Sequence, residues 1–345
     1  MSSFKCALVC GTRPEILKIA PVVNELKKRN IEYSVLFTNQ HFSDEMGKNF
    51  FNELGIEITH RYKSIFKRDL VNKWLKNKLK DYNPNIVLVV GDTTSALLGA
   101  MAGAFIHIKV GHIEAGLRSH DFEEPFPEEY NRCIIDAISD FHFCPTENNF
   151  KNLMTRQHKQ VHITGNTIID LVESRHLTTR NNKDIIITAH RRENWKRMES
   201  ICKGIVTLSK KLPSYNFVFV RHANKELASK IERYLKGTSV KIIPPQSYYN
   251  FLNLMANCYL IISDSGGIVE EASYLNKPVA ILREKTERPE AIDTGHARMV
   301  GTSEDFWKEV LDFIIFRKKQ LLETCPFGDG NASERIVDIL EKELE

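Results

Sequence analysis

Asn85-Ile86-Val87-Leu88-Val89-Val90-Gly91-Asp92-Thr93-Thr94 decides the fold class. The run 86–90 is short, continuous in apolar residues and rich in β-branched side chains. That is the pattern of a parallel strand buried on both faces. Gly91 and polar residues follow at once. The pattern returns at 106–110 and again runs into polar residues and glycine: Gly111-His112-Ile113-Glu114-Ala115-Gly116-Leu117-Arg118. Ligands of an open α/β sheet bind outside the carboxyl ends of its strands, and Asp92 and Glu114 both stand just past such ends. Glu128 stands at the predicted start of the next helix, after Pro125 and Pro127. Three carboxylates, with His112, Arg118 and Arg132 interleaved, are therefore expected around one crevice. Crowding and partial dryness there shift proton affinities and suit acid/base work. Taken singly, Asp92 reads equally well as a helix N-cap, and Glu128 as a favourable first-turn charge.

Upstream, the apolar run 6–10 is followed by Gly11-Thr12-Arg13-Pro14-Glu15 and then by apolar residues at helical spacing from Ile16 to Leu26. This is a strand, a turn and a helix, with Arg13 at the strand end and Lys18 one helical turn further on. Together with the helix N-terminus they form a candidate anion site; an exposed first turn is the plainer reading. No GxGxxG follows the strand, so no dinucleotide fingerprint is present.

Strands continue to alternate with helices downstream, through predicted strands at 141–144 and 161–164. This defines a first domain over residues 1–167. After the polar stretch 178–183 the alternation starts again, with strands at 184–189, 217–220, 240–243, 259–263 and 279–282. This defines a second domain over 168–325. Residues 326–345 are a loop and a last helix, expected to pack back on the first domain. The fold class is α/β: two doubly wound Rossmann-like domains facing across a cleft.

In the second domain Ser265-Gly266-Gly267 follows a buried strand and opens a helix. Glycines there let backbone N–H groups approach a phosphate, although the tripeptide is equally a plain turn. Arg288 lies past the end of the next strand. Glu271, one turn into the helix, is either an acceptor for sugar hydroxyls or a solvated acid. His190, with Arg191 beside it, stands at another strand end and reads as a phosphate-facing donor.

Composition narrows the class. With 42% hydrophobic and 27% charged residues and a net charge of +4, the chain has the make-up of a soluble globular protein. Its basic residues are dispersed, so nucleic acid is not expected as a partner. The seven cysteines are scattered, with no Cys-x-x-Cys and no zinc spacing. They read as reduced thiols in a cytoplasmic protein, with no metal and no cofactor expected. No apolar run approaches membrane-spanning length.

The motifs together resemble the non-hydrolysing UDP-N-acetylglucosamine 2-epimerase family, of glycosyltransferase-B-like fold. The strings that carry the resemblance are Gly-Thr-Arg-Pro-Glu (11–15) with Lys18, Gly-Asp-Thr (91–93), His-Ile-Glu-Ala-Gly-Leu-Arg (112–118), and Pro-Glu-Glu (127–129) with Asn131-Arg132. They continue with His-Arg-Arg-Glu-Asn (190–194), Asp-Ser-Gly-Gly-Ile (264–268), Thr-Glu-Arg-Pro-Glu (286–290) and Gly-Asp-Gly (328–330). They occur in family order over nearly the whole chain.

The resemblance implies interconversion of UDP-N-acetylglucosamine and UDP-N-acetylmannosamine, through loss of UDP to a 2-acetamidoglucal and its re-addition. The same chemistry on a related UDP-sugar, such as a UDP-2,3-diacetamido-uronic acid, is the alternative. Carried onto this sequence, Asp92, Glu114 and Glu128 are the acid/base residues. Arg13, Lys18 and His190, the last taken as catalytic, would steady the diphosphate or orient the sugar, and Arg118 and Arg191 are taken as further substrate-binding cations. Ser265, Gly266 and Gly267 would hold phosphates, Glu271 the ribose, and Arg288 the nucleotide side. A homodimer is the family-level expectation. The resemblance departs where many members carry Gly-Gln-His and this chain has Asn39-Gln40-His41. It departs again around 60–80, which is short here, so activation by substrate at a second site is not carried over.

Overall fold

The structure, a computed structural model, describes residues 4–40, 50–123, 126–154, 158, 160–180, 182–189, 191–221, 224–316 and 324–344. The chain divides into two compact units, Met1–Ser174 with Phe327–Glu345, and Arg175–Pro326.

In the first unit β1 (Lys5–Cys10), α1 (Arg13–Lys28), β2 (Glu32–Phe37), β3 (His60–Arg61), α2 (Arg68–Tyr82) and β4 (Ile86–Val90) follow in turn. Then come α3 (Thr94–Phe105), β5 (Lys109–Ile113), α4 (Glu128–Ile138), β6 (Phe141–Cys144), α5 (Glu147–Met154), β7 (Val161–Ile163) and α6 (Thr167–Glu173). The described strands form a parallel sheet in the order β3-β2-β1-β4-β5-β6-β7. All five residues of β4 are buried, and each such Val, Leu or Ile contributes about 1.5–3 kcal/mol relative to exposure. β4 is thus the spine on which the unit is built.

The second unit repeats the plan with β8 (Asp184–Thr188), a 3-10 turn at Arg192–Arg197, α7 (Met198–Lys211), β9 (Asn216–Val220), α8 (Lys225–Leu235), β10 (Lys241–Ile243) and α9 (Tyr248–Asn257). It continues with β11 (Leu260–Ser263), α10 (Gly266–Tyr274), β12 (Val279–Ile281), α11 (Pro289–Asp293), β13 (Ala297–Met299) and α12 (Phe306–Phe316). Its parallel order is β10-β9-β8-β11-β12-β13. Both units are doubly wound and Rossmann-like, as the alternation predicts.

Each sheet reverses its winding once, between β1 and β4 in the first unit and between β8 and β11 in the second. At that point neighbouring connections leave on opposite faces and open a crevice at the strand ends. The two switch points carry the motif-bearing loops.

The strand expected at 106–110 lies instead at Lys109–Ile113. Helix α3 runs on to Phe105, Ile106 caps it, and His107 turns the chain with a left-handed φ of 61°. His112 is therefore inside the sheet, paired with Val89, and Glu114 is the first residue past it.

The last helix, α13 (Ala332–Leu344), belongs to the first unit. The Asp170 carboxylate of α6 accepts from Ala332 N–H at 3.0 Å, Ser333 N–H at 2.6 Å and the Ser333 hydroxyl at 2.6 Å. It caps α13 from across the fold, where the helix dipole favours an anion. Contacts keep α6 with the first unit, so the division falls after Ser174 rather than after 167.

Candidate active site

The first switch point is assembled from three loop starts. Glu15, three residues into the Thr12-x-x-Glu15 spacing of a capping box, reaches back over its own helix start. Its Oε2 accepts from Gly11 N–H at 3.1 Å, Thr12 N–H at 2.7 Å and the Thr12 hydroxyl at 2.7 Å, and its Oε1 accepts from the Thr93 hydroxyl at 2.7 Å. The carboxyl group is buried. That burial pushes its pKa up to about 7 against the pull of its four donors. Glu15 thereby ties the end of β1 to the residue after Asp92. Gln40 performs a similar task from the loop after β2, its Oε1 accepting from Ser95 N–H at 2.9 Å and the Ser95 hydroxyl at 2.7 Å.

Asp92 pairs with Arg132 of α4, Oδ2 to Nη2 at 2.6 Å, and its own carbonyl accepts from Asn131 Nδ2 at 2.7 Å. Arg132 also donates to the buried Glu129 at 2.7 Å, and Glu129 accepts from Ser119 N–H at 3.0 Å. Glu114 is buried and ion-paired with the equally buried Lys18 of α1. Its backbone is left-handed, with φ 67°. For a non-glycine residue that conformation costs on the order of 1–3 kcal/mol and persists only where the surroundings hold it. The Glu114 carboxylate lies against Gly91, 3.1 Å from where a Cβ on that glycine would stand. Glu128, half-buried, is the first residue of α4, one turn before Arg132. Contacts therefore link Asp92 and Glu114 to the same rim of one sheet, and Glu128 opens the helix that carries the Arg132 partner of Asp92. Arg13 is exposed at the start of α1, its guanidinium 4.9 Å above the Phe50 ring.

At the second switch point, buried Asp264 accepts from Arg191 N–H and Asn194 Nδ2, each at 3.0 Å, and Asn194 also reaches the Leu282 carbonyl at 3.0 Å. The loops after β8, β11 and β12 are thus bound together. Ser265 stands at the N-cap of α10 without using its hydroxyl as a cap. Gly266 is required by close approach: a Cβ there would lie 2.3 Å from Arg288 Nη1. The Arg288 guanidinium donates from Nε to Glu270 at 2.7 Å, so it sits across the helix start where the dipole is positive. Nothing lies within 4 Å of a Cβ built on Gly267. Glu271 is buried within α10. A cation, two glycines and a helix N-terminus thus stand together at one strand end, the elements from which a phosphate site can be built.

The sequence model of a family described as UDP-N-acetylglucosamine 2-epimerase matches residues 24–341. The UDP-N-acetylglucosamine 2-epimerase of Neisseria meningitidis serogroup A is 37% identical over 370 aligned positions, covering 98% of this chain and 99% of that protein. The chain belongs to the UDP-N-acetylglucosamine 2-epimerase family.

The Campylobacter jejuni member is 35% identical, covering 98% of this chain and 97% of its own length. Among solved structures, the N. meningitidis epimerase bound to UDP-GlcNAc superposes with a TM-score of 0.89 at 36% identity, covering 98% of this chain and all of that one. The Methanocaldococcus jannaschii epimerase, in complex with UDP-GlcNAc and UDP, gives 0.85 at 32% identity, covering 98% and 99%. The epimerases are isomerases, and both units of this chain share their fold. Among the described residues no helix is long and apolar enough to cross a membrane.

Arg118 turns inward: its guanidinium donates to the buried Asp136 at 2.6 Å and to its neighbouring Leu117 carbonyl at 2.8 Å. Its partner is the protein's own carboxylate, as Glu270 is for Arg288 and Glu114 for Lys18. His190 lies outside the described residues, as do His41 and His222. Conversely, Glu15, Gln40, Arg132 and Asp136 were not assigned from the sequence. The capping-box spacing was the available signal for Glu15. Asp136, in mid-helix, offered none.

Proposed function

We propose that this chain is a non-hydrolysing UDP-N-acetylglucosamine 2-epimerase, interconverting UDP-N-acetylglucosamine and UDP-N-acetylmannosamine. The reading rests on family membership. It is supported by the presence of the carboxylates Asp92, Glu114 and Glu128 in the chain, with Arg132 paired to Asp92 and Lys18 to Glu114.

The C2 hydrogen of the sugar is not acidified by a carbonyl, so the chemistry depends on the departing diphosphate. A carboxylate takes the C2 proton while the C1–O electron pair leaves with UDP, and C1=C2 forms. The resulting 2-acetamidoglucal then receives a proton at C2 on the opposite face as a UDP oxygen attacks C1. Oriented carboxylates supply the proton transfers. Cations and helix dipoles that meet charge as it develops on the leaving group supply the larger share of the rate. In this assignment Arg13, Lys18 and His190 face the diphosphate. Ser265, Gly266 and Gly267, with Arg191 and Arg288, take the nucleotide phosphates, and Glu271 the ribose hydroxyls. The enzyme works in the cytoplasm as a homodimer.

Incubation with UDP-N-acetylglucosamine in heavy water, followed by NMR, tests the reading. UDP-N-acetylmannosamine carrying deuterium at C2 is the expected product. Release of free N-acetylmannosamine, or epimerisation with no solvent deuterium, would overturn it.

A further inference from the structure

His112 lies within β5, only 1% exposed, and both its ring nitrogens have partners. Nδ1 is 2.6 Å from Asp136 Oδ1, and Nε2 is 2.8 Å from the Gly91 carbonyl oxygen. Asp136 also receives the Arg118 guanidinium at 2.6 Å. The guanidinium can only donate, so Arg118 holds this buried carboxylate as an anion independently of the imidazole. An ionised carboxylate and a peptide carbonyl can only accept hydrogen bonds, and a neutral imidazole has one N–H to give. Two acceptors within hydrogen-bond distance therefore require two ring protons. A neutral ring would leave a lone pair facing an oxygen lone pair at 2.6 or 2.8 Å, too close for a water to stand between them.

The acceptor at Nε2 is informative. Gly91 precedes Asp92 and has a left-handed φ of 66°. Its N–H donates to the Ile113 carbonyl at 3.0 Å. Both polar groups of Gly91 are thus held by β5, one by the strand backbone and one by His112. The following carbonyl, that of Asp92, is held by Asn131.

We propose that His112 is a doubly protonated positioning residue. Its imidazolium, anchored by Asp136 and Arg118, fixes the peptide between Gly91 and Asp92 and so sets the aim of the Asp92 carboxylate. The residue touches no substrate; it acts through Asp92, and this role rests on the acid/base assignment of Asp92 made above.

Two measurements test it on the full-length protein. In wild-type protein labelled with nitrogen-15 at histidine, both ring nitrogens of His112 should carry protons at neutral pH, identified as the signals lost in His112→Gln. One unprotonated nitrogen overturns the proposal. With UDP-N-acetylglucosamine as substrate, Asp136→Asn and His112→Gln should each lower kcat about 10- to 100-fold. KM should stay within about twofold, because the substrate contacts are untouched. Unchanged kcat, or a rise in KM alone, overturns it too. The nitrogen-15 result requires no variant to fold beyond the one used for assignment. Full kcat in Asp92→Asn would instead refute the acid/base assignment, while leaving the protonation of the ring as measured.

Discussion

Arg132 Nη2 and Asp92 Oδ2 meet at 2.6 Å, joining the loop after β4 to the second turn of α4. The same guanidinium holds Glu129 through Nη1 at 2.7 Å, and Glu129 is almost completely buried. One cation thus serves a candidate acid/base residue and a structural anion. Replacing it with methionine would leave Glu129 buried without its charge partner, which typically costs about 3–5 kcal/mol. Arg132→Met should lower the urea midpoint markedly and reduce kcat about 100-fold or more. Arg132→Lys should recover much of the stability, since a point charge satisfies Glu129, but little of the rate, since it cannot hold both partners in one fork. Equal recovery of both would refute the double role.

Asp92→Asn, Glu114→Gln and Glu128→Gln keep shape and remove the proton-carrying group. Each should lower kcat by about 10²–10⁴. Wash-in of solvent deuterium at C2 will separate their tasks, because the residue that removes the proton from one epimer is the one that protonates the glucal to re-form that same epimer. Glu114→Gln also removes the charge that the buried Lys18 ammonium pairs with, so its melting temperature should fall more than that of Glu128→Gln.

Glu15 predicts a pH dependence of stability. Burial raises its pKa from 4.5 to about 7 in the folded chain. The folded protein therefore binds this proton more tightly than the unfolded one. The stabilisation is present in full below about 4.5 and is lost as pH rises to about 7. At about 1.4 kcal/mol per pKa unit this amounts to about 3 kcal/mol as an upper figure. Urea unfolding of wild type and Glu15→Gln at pH 5 and pH 8 should show a wild-type loss that the variant lacks. Parallel curves would rule out Glu15 as the source.

Gly266→Ala would place a methyl group 2.3 Å from Arg288 Nη1. The guanidinium must shift from the start of α10 or the backbone must move, at about 1–3 kcal/mol. UDP affinity, read by calorimetry, should fall at least tenfold. Gly267→Ala meets no atom within 4 Å of the added carbon. It should leave folding stability unchanged, and any loss of UDP affinity would locate the phosphate against it.

Much of this architecture is legible in the chain because strand and helix periodicity are local properties. The runs 86–90 and 141–144, and the turn after 6–10, stand where their patterns place them. Two short strands, β3 and β13, are not legible in the sequence. They are two and three residues of mixed polarity, and they become strands only because a neighbour supplies the hydrogen bonds. The start of β5 was misplaced for a related reason. Ile106 and Ile108 look like strand residues, but the length of α3 and the turn at His107 settle where the sheet is entered.

By itself the sequence determined two alternations of buried strands and helices, and polar motifs at the strand ends. Parallel strands all finish on one side, so residues dozens of positions apart had to gather there. Which side chains then meet was decided only by tertiary structure. The order β1-β4-β5 brings Glu15 to Thr93 and His112 to the Gly91 carbonyl, and the packing of α4 turns Arg118 to Asp136 and Arg132 to Asp92. Charged groups choose partners by distance and burial, and neither is written in their spacing along the chain.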